Sequence, residues 1–321
     1  MNITALESHI PKVIIQYNCI AHYRKPIFEL LSACADVEFN VVADSKTDSP
    51  FMKVVDIQDS SIRGLVAKRW DIRLGNSITL FWQPDAIKVV LRKKPDVIIA
   101  LGNPYSLTAW ALIALGSLLG IPTLLWGHGL LTSESGPKWW LRRFFYSLAH
   151  GQLLYSDYAK ELLIKQGFDP NRLFVVYNSL DYDAQTKAAN EISEQDCSDF
   201  RTALGVKPND GMVVFTGRLQ KNKKLDLLIQ AVALLAGKGN SVHIVLVGEG
   251  PERANLQNQA AKLGISHLLH FLGESYDERK IGLAIGASDL CVIPSGAGLS
   301  VMHAMAFGTP VMLHDNIAEH F

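Results

Sequence analysis

The sequence predicts an α/β architecture of parallel sheets arranged in two domains, and three observations carry that reading. Short apolar runs of strand type alternate with stretches of helical composition along the chain, the order that parallel sheets and their crossover helices require. Several of those runs end in glycine, where a strand must turn sharply into the next helix. The 321 residues, 48% of them hydrophobic, hold enough apolar surface for two medium cores, and two is the better expectation at this length.

Taken in order, Lys12-Val-Ile-Ile15 reads as a strand, His22 to Ala35 as a helix and Val37 to Val42 as a second strand. Asp96 to Ala100 and Thr123 to Trp126 are further buried strands. Between them, Tyr105 to Trp126 contains no Asp, Glu, Lys or Arg, which raises the question of a membrane span. Gly120-Ile121-Pro122 cuts it, leaving a helix of roughly fifteen residues, short of the ~20 needed to cross a bilayer. A core helix of a βαβ unit is the expectation. Pro137 to Leu148 is helical in pattern. At about 100° per residue, Trp140, Leu141, Phe144, Phe145 and Leu148 form one stripe, expected to pack on the sheet, and Trp139, Arg142, Arg143 and Tyr146 share the other face. Two arginines with Trp and Tyr suit the headgroup region of an anionic membrane, or a solvated helix face.

The chain turns polar and rich in Ala, Glu and Asp from Thr186 to Asp210, a helical lead-in to a second domain. Val213-Val-Phe-Thr-Gly217-Arg218-Leu219 is then strand and loop, with Lys223 before the helix that begins near Leu225. His243 to Gly248 and His270 to Gly273 are two more strands ending in glycine, and Leu290 to Ile293 is another. Gly296 and Gly298 permit a sharp turn into a helix from Val301 to Phe307. A strand, a glycine turn and a helix N-terminus form an anion site, because exposed backbone N–H groups and the helix dipole both favour a phosphate there. The plain alternative is a βα connection whose glycines serve only the turn. Arg218 and Lys223 flank the mouth of a parallel sheet, where α/β proteins bind ligands.

The stretch Pro294-Ser-Gly-Ala-Gly-Leu-Ser-Val-Met-His-Ala-Met-Ala-Phe-Gly-Thr-Pro-Val311 resembles the donor-binding signature of retaining GT-B glycosyltransferases of the family 4 type, the glycosyl transferases group 1. The Gly217-Arg218-Leu219 loop with Lys223, and the glycine loops at Gly248 and Gly273, follow in that family's order. Two departures stand out. The family signature carries two glutamates separated by seven residues, and Ser295 and His303 occupy those places.

The resemblance implies two Rossmann-like α/β/α domains facing a cleft: an acceptor-binding domain over residues 1–179 and a nucleotide-sugar-binding domain over 180–321. It assigns Arg218 and Lys223 to the donor diphosphate, with Gly217, Gly273, Ser295, Gly298, Leu299 and His303 around the nucleotide-sugar, and no metal. It also places His128, in Trp126-Gly127-His128-Gly129, near the reacting sugar, and His22, Tyr23, Arg24 and Asn103 against the acceptor. A structural histidine and plain turns are the alternatives at those positions. Glu249 reads as a surface loop acid.

The activity implied is α-retaining transfer from a nucleoside-diphosphate sugar to a saccharide or polyprenyl-linked saccharide, in surface polysaccharide biosynthesis, without a cofactor. A nucleotide-sugar 2-epimerase of GT-B fold and a non-catalytic sugar-nucleotide-binding protein are the competing readings. The family continues beyond the point that His314 to Phe321 resembles, so the expectation is a C-terminally incomplete second domain.

Zero formal net charge removes the long-range electrostatic case for nucleic acid. Cys19, Cys34, Cys197 and Cys291 show no metal-type spacing and read as reduced, mostly buried thiols of a cytosolic protein. Met1 to Ile10 lacks the basic start and apolar core of a secretion signal. The expected location is cytoplasmic, at the inner face of the plasma membrane if Trp139, Arg142 and Arg143 meet lipid.

Overall fold

The computed structural model describes residues 9–47, 53–75 and 78–316. Most of the expectations for Met1 to Ile10 and for His314 to Phe321 lie outside those residues. The chain divides into two compact units, Met1–Asn178 and Ser179–Phe321.

The first unit runs β1 (Lys12–Cys19), α1 (Lys25–Ala33), β2 (Glu38–Asp44), β3 (Gly64–Val66), β4 (Trp70–Leu74), β5 (Ile78–Trp82), α2 (Pro84–Lys93), β6 (Val97–Leu101), α3 (Leu107–Leu119), β7 (Thr123–Gly127), α4 (Gly136–Leu148), β8 (Gly151–Leu154), α5 (Asp157–Lys165) and β9 (Leu173–Val175). Seven strands form a sheet in the order β3-β2-β1-β6-β7-β8-β9, all neighbours parallel. Its two faces are covered by separate apolar clusters, one around Phe145, Leu112 and Ile98 and one around Phe28, Ile15 and Trp126. Burial on both faces explains why these strands read as continuous apolar runs.

The second unit runs α6 (Tyr182–Glu191), α7 (Glu194–Ala203), β10 (Gly211–Thr216), α8 (Leu225–Ala236), β11 (Val242–Val247), α9 (Arg253–Lys262), β12 (Leu269–Gly273), α10 (Glu278–Gly286), β13 (Leu290–Ile293), α11 (Leu299–Ala306) and β14 (Val311–Leu313). Its parallel sheet has the order β12-β11-β10-β13-β14, again with a core on each face. In both sheets the strand order reverses beside the first strand, between β1 and β6 and between β10 and β13. Such a switch point opens a crevice at the carboxyl ends of the strands.

The structure departs from the sequence reading at three places. The helix expected from His22 begins only at Lys25, after a 3-10 turn over His22–Arg24, because Pro26 fits the first turn of an α-helix and not its interior. The short strand β3 and the antiparallel pair β4 and β5 were not read from the sequence. Their signal is weak because every residue of β4 is exposed.

The third correction is the orientation of α4. Trp139, Phe145 and Tyr146 are its buried residues, whereas Trp140 is 69% exposed and Leu141, Phe144 and Leu148 are also exposed. The tyrosine and arginine tips of this face are directed at neighbouring groups. Tyr146 donates to the Gly129 carbonyl, Arg142 pairs with Glu134 at 2.9 Å, and Arg143 donates to the Gln166 carbonyl and lies over Phe168. Trp139, Arg142 and Arg143 therefore do not present the lipid-facing surface expected of them.

The cut at Gly120 is as read: Gly120 caps α3 with φ 70°, and no described helix is long and apolar enough to cross a membrane. All four cysteines are free; Cys19 and Cys291 are buried, Cys34 and Cys197 partly so.

Candidate active site

At the mouth of the second sheet, the loops after β10, β11 and β12 lie against one another through backbone hydrogen bonds. Gly217 N–H donates to the Val247 carbonyl, Gly248 N–H to Gly273 and Leu219 N–H to Glu249. Gly217, Gly248 and Gly273 all have positive φ. A Cβ on Gly248 would lie 2.0 Å from the Gly217 carbonyl oxygen, and one on Gly250 would lie 2.3 Å from that of Leu219, so only glycine permits this approach. Glu249 is held on its own loop by Arg253.

Two cations stand at this mouth. The Arg218 side chain is exposed and makes no hydrogen bond or ion pair among the described residues. Lys223, half-buried on the 3-10 turn before α8, donates to the Gly296 carbonyl at 3.2 Å. It thereby ties the β10 loop to the loop after β13, across the switch point. Burial and then the neighbouring Arg218 charge hold the Lys223 ammonium below its ordinary pKa. A cation held in that state gains from an anionic ligand.

The loop after β13 carries a second polar signal. Ser295 is 1% exposed, and its hydroxyl has no hydrogen-bond partner among the described residues. Gly298 precedes α11 without a side-chain cap, which leaves the helix's first N–H groups for a ligand. One turn into α11, His303 Nε2 lies 2.7 Å from Glu278 Oε2.

The mouth of the first sheet is built from large side chains. Arg24, 7% exposed, donates to the hydroxyls of Tyr17 and Tyr155. Its guanidinium lies 4.8 Å from the Trp126 ring centroid and 5.0 Å from that of Tyr17, with Phe28 and Tyr155 also beneath it. Burial pushes the Tyr17 hydroxyl above its ordinary pKa, so the cage holds the cation through a neutral Tyr17 hydroxyl and π-faces. Arg24 is thus committed inside the unit and offers little to an acceptor, while neighbouring Tyr23 is 45% exposed.

His128 reaches solvent and stands edge-on to Tyr155 at 4.7 Å. Crowding of its ring, and then the Arg24 charge, hold its pKa below that of an ordinary histidine. Asn103 accepts from the Tyr105 N–H in a local turn. The His22 N–H donates to the Lys53 carbonyl.

The family described as "Glycosyl transferases group 1" matches residues 197–318, and "Glycosyltransferase Family 4" matches residues 28–184. The chain belongs to the group 1 glycosyltransferases of the family 4 type. The D-inositol 3-phosphate glycosyltransferase of Gordonia bronchialis is 34% identical over 170 residues, 49% of this chain and 35% of that protein. The Mycobacterium marinum protein of the same name is 33% identical over 166 residues, 49% of this chain and 33% of its own length. The chain therefore spans about a third of the length of these curated relatives.

Among solved structures, Anabaena HepE in complex with UDP superposes with a TM-score of 0.68 at 22% identity, covering 94% of this chain and 79% of that one. A UDP-GlcNAc 2-epimerase from Neisseria meningitidis bound to UDP-GlcNAc gives 0.55 at 16% identity, covering 96% and 84%. At these identities the likeness is one of fold. It is the GT-B fold, two Rossmann-like domains, and the two parallel sheets described above are its halves.

Within the second unit, Gly217, Arg218, Lys223, Ser295, Gly298, Leu299 and His303 belong to the loops and helix start around one switch point, and Gly273 joins them through Gly248. Sequence reasoning missed Glu278, Tyr17 and Tyr155. An acid in the first turn of α10 looks like an ordinary favourable charge at a helix N-terminus, and the tyrosines look like core residues.

Proposed function

We propose that this glycosyltransferase moves a sugar from a nucleoside-diphosphate sugar held by the second unit to a hydroxyl of a saccharide or lipid-linked saccharide, with retention at the anomeric carbon. The observation that carries this reading is the pairing of Arg218 and Lys223 at the switch point of the second sheet, beside the uncapped start of α11. Departure of a nucleoside diphosphate concentrates negative charge on its phosphate oxygens. A guanidinium and an ammonium neutralise that charge directly, and the α11 N–H groups add fixed dipoles. In this reading the transfer needs no divalent metal, and the leaving diphosphate takes the acceptor proton on the face that the nucleophile enters. The structures of HepE with UDP and with UDP-glucose favour a uridine donor.

His128 is the residue we assign next to the reacting sugar in the first unit, where a neutral imidazole serves as a hydrogen-bond partner without opposing positive charge at the anomeric carbon. The polar surface for the acceptor then comes from Tyr23, His22 and Asn103, with Arg24 as the buried support of the mouth.

The exposed face of α4 favours a second element of the reading, placement at a lipid surface. Trp140, Leu141, Phe144 and Leu148 are exposed together on one helix, with Trp110 of the uncharged α3 against Phe144. An apolar helix face with aromatics suits the membrane interface, where a polyprenyl-linked acceptor would lie.

The test is a mass-detected reaction with a panel of nucleotide sugars, with and without saccharide acceptors. Nucleotide release that depends on acceptor supports transfer. A nucleotide sugar epimerised without an acceptor would replace transfer with 2-epimerase chemistry, and binding without turnover of any donor would leave a sugar-nucleotide-binding protein.

A further inference from the structure

At its N-terminus α10 supplies Glu278, and α11 supplies His303 one turn beyond its start. Both helices follow the carboxyl ends of strands, so both residues lie toward the ligand-binding edge of the second sheet. The helices pack closely: a Cβ on Gly282 of α10 would lie 2.1 Å from the Phe307 ring, which follows α11. His303 sits 6.0 Å from that ring and is 12% exposed at its side chain, against 28% for Glu278. A mostly buried imidazole at 2.7 Å from a carboxylate oxygen has its orientation set by that bond.

The bond also sets the proton. An ionised carboxylate only accepts, so His303 Nε2 must donate, and in the neutral ring Nδ1 is left with a lone pair. A carboxylate behind an imidazole is a general way to fix tautomer and ring orientation. An acceptor nitrogen suits a hydroxyl and opposes a phosphate oxygen.

We propose that Glu278 is a positioning residue that makes His303 an acceptor for a hydroxyl of the nucleotide-sugar donor. The proposal rests on the donor-site reading of the second unit. Ribose and the transferred sugar both carry such hydroxyls, and the two sources are separable by ligand.

The experiment titrates the whole chain and its Glu278→Ala and Glu278→Gln variants with UDP, 2′,3′-dideoxy-UDP and UDP-glucose, and reads the His303 tautomer from ring ¹⁵N shifts. The parent should hold His303 as the Nε2–H form and favour UDP over the dideoxy analogue by about tenfold, the value of one or two hydrogen bonds. Glu278→Ala should give a mixture of tautomers and cut that preference to about twofold or less. Glu278→Gln, which keeps side-chain volume and an accepting oxygen, should retain most of it. If the UDP-to-dideoxy ratio survives in Glu278→Ala while the gain from UDP to UDP-glucose collapses, the hydroxyl belongs to the transferred sugar. Equal losses for all three ligands, or none, would overturn the proposal, since a purely structural Glu278 would affect them alike. A parent that binds UDP, with affinity sensitive to Arg218→Ala, keeps the donor-site reading standing whatever Glu278 does. A parent that binds none of the three ligands sinks both.

Discussion

The two sheet mouths each contain an arginine, and the two arginines are treated oppositely. In the second unit the Arg218 side chain is left exposed without a partner among the described residues, beside loops rich in glycine. In the first unit Arg24 is enclosed by four aromatic rings and two tyrosine hydroxyls. A guanidinium kept for an anionic ligand must be reachable and uncompensated, whereas one that supports a mouth must be satisfied within it. Residue type alone does not separate these uses, and the surroundings do.

The comparison breaks most severely at Gly248. An alanine there meets the Gly217 carbonyl at 2.0 Å in a backbone of φ 145°, so Gly248→Ala should cost the second unit about 4 kcal/mol or more. Denaturant unfolding of that unit checks it, and a loss under ~1 kcal/mol would show that the loops can part cheaply.

Arg24→Ala should come next, with about 3 kcal/mol lost from the first unit through an emptied cage and orphaned tyrosine hydroxyls. Nucleoside-diphosphate affinity, measured by calorimetry below the melting transition, should change little. A stable Arg24→Ala protein with weakened nucleotide binding would reverse the contrast drawn between the two arginines.

Arg218→Ala should do the opposite. It should leave stability within ~0.5 kcal/mol, as for an exposed side chain, and weaken nucleoside-diphosphate binding by ~1.5–3 kcal/mol, the range of hydrogen bonds to charged groups. Unchanged calorimetric affinity, or binding that depends absolutely on Mg²⁺, would remove the metal-independent diphosphate clamp.

The smallest expected effect is on acid stability and lies away from both mouths. His243 Nδ1 and His270 Nε2 are 2.9 Å apart, and burial, then the His243 charge, lower the His270 pKa. The folded state thus binds its proton less readily than the unfolded chain does. Its contribution to stability is complete above the ordinary histidine value of ~6.5 and is lost as pH falls below it. His270→Gln should flatten the melting temperature of the second unit across that window, and an equally steep acid loss in the variant would place the cause elsewhere.

Chain order and the period of apolar residues made the α/β class and the parallel strands legible, because a strand buried on both faces must be apolar along its length. The glycine loops were legible for a related reason: a positive φ or a backbone approach such as Gly248 on Gly217 excludes other residues, so the requirement is written in the residue itself. The residues from Gly217 to His303 were singled out through their resemblance to the family's donor-binding signature, which is carried on consecutive strand-loop-helix units. The exposed strand β4 was not, since neither of its faces is buried and no apolar alternation is imposed on it.

Some features depend on partners distant in sequence, and these only the tertiary structure decided. Periodicity divided α4 into two faces, but which one turned inward depended on Glu134, Gly129, Gln166 and Phe168 being in place to receive Arg142, Tyr146, Arg143 and Trp139. Arg24 looked like an acceptor contact until Tyr155, 131 residues away, closed over it. His303 looked like a lone replacement for a carboxylate until Glu278, 25 residues earlier, was found bonded to it. Local backbone requirements act on the residue that must meet them and so appear in the sequence. Burial of a charge or a polar tip is decided by the groups that satisfy it, and the fold alone brings those groups together.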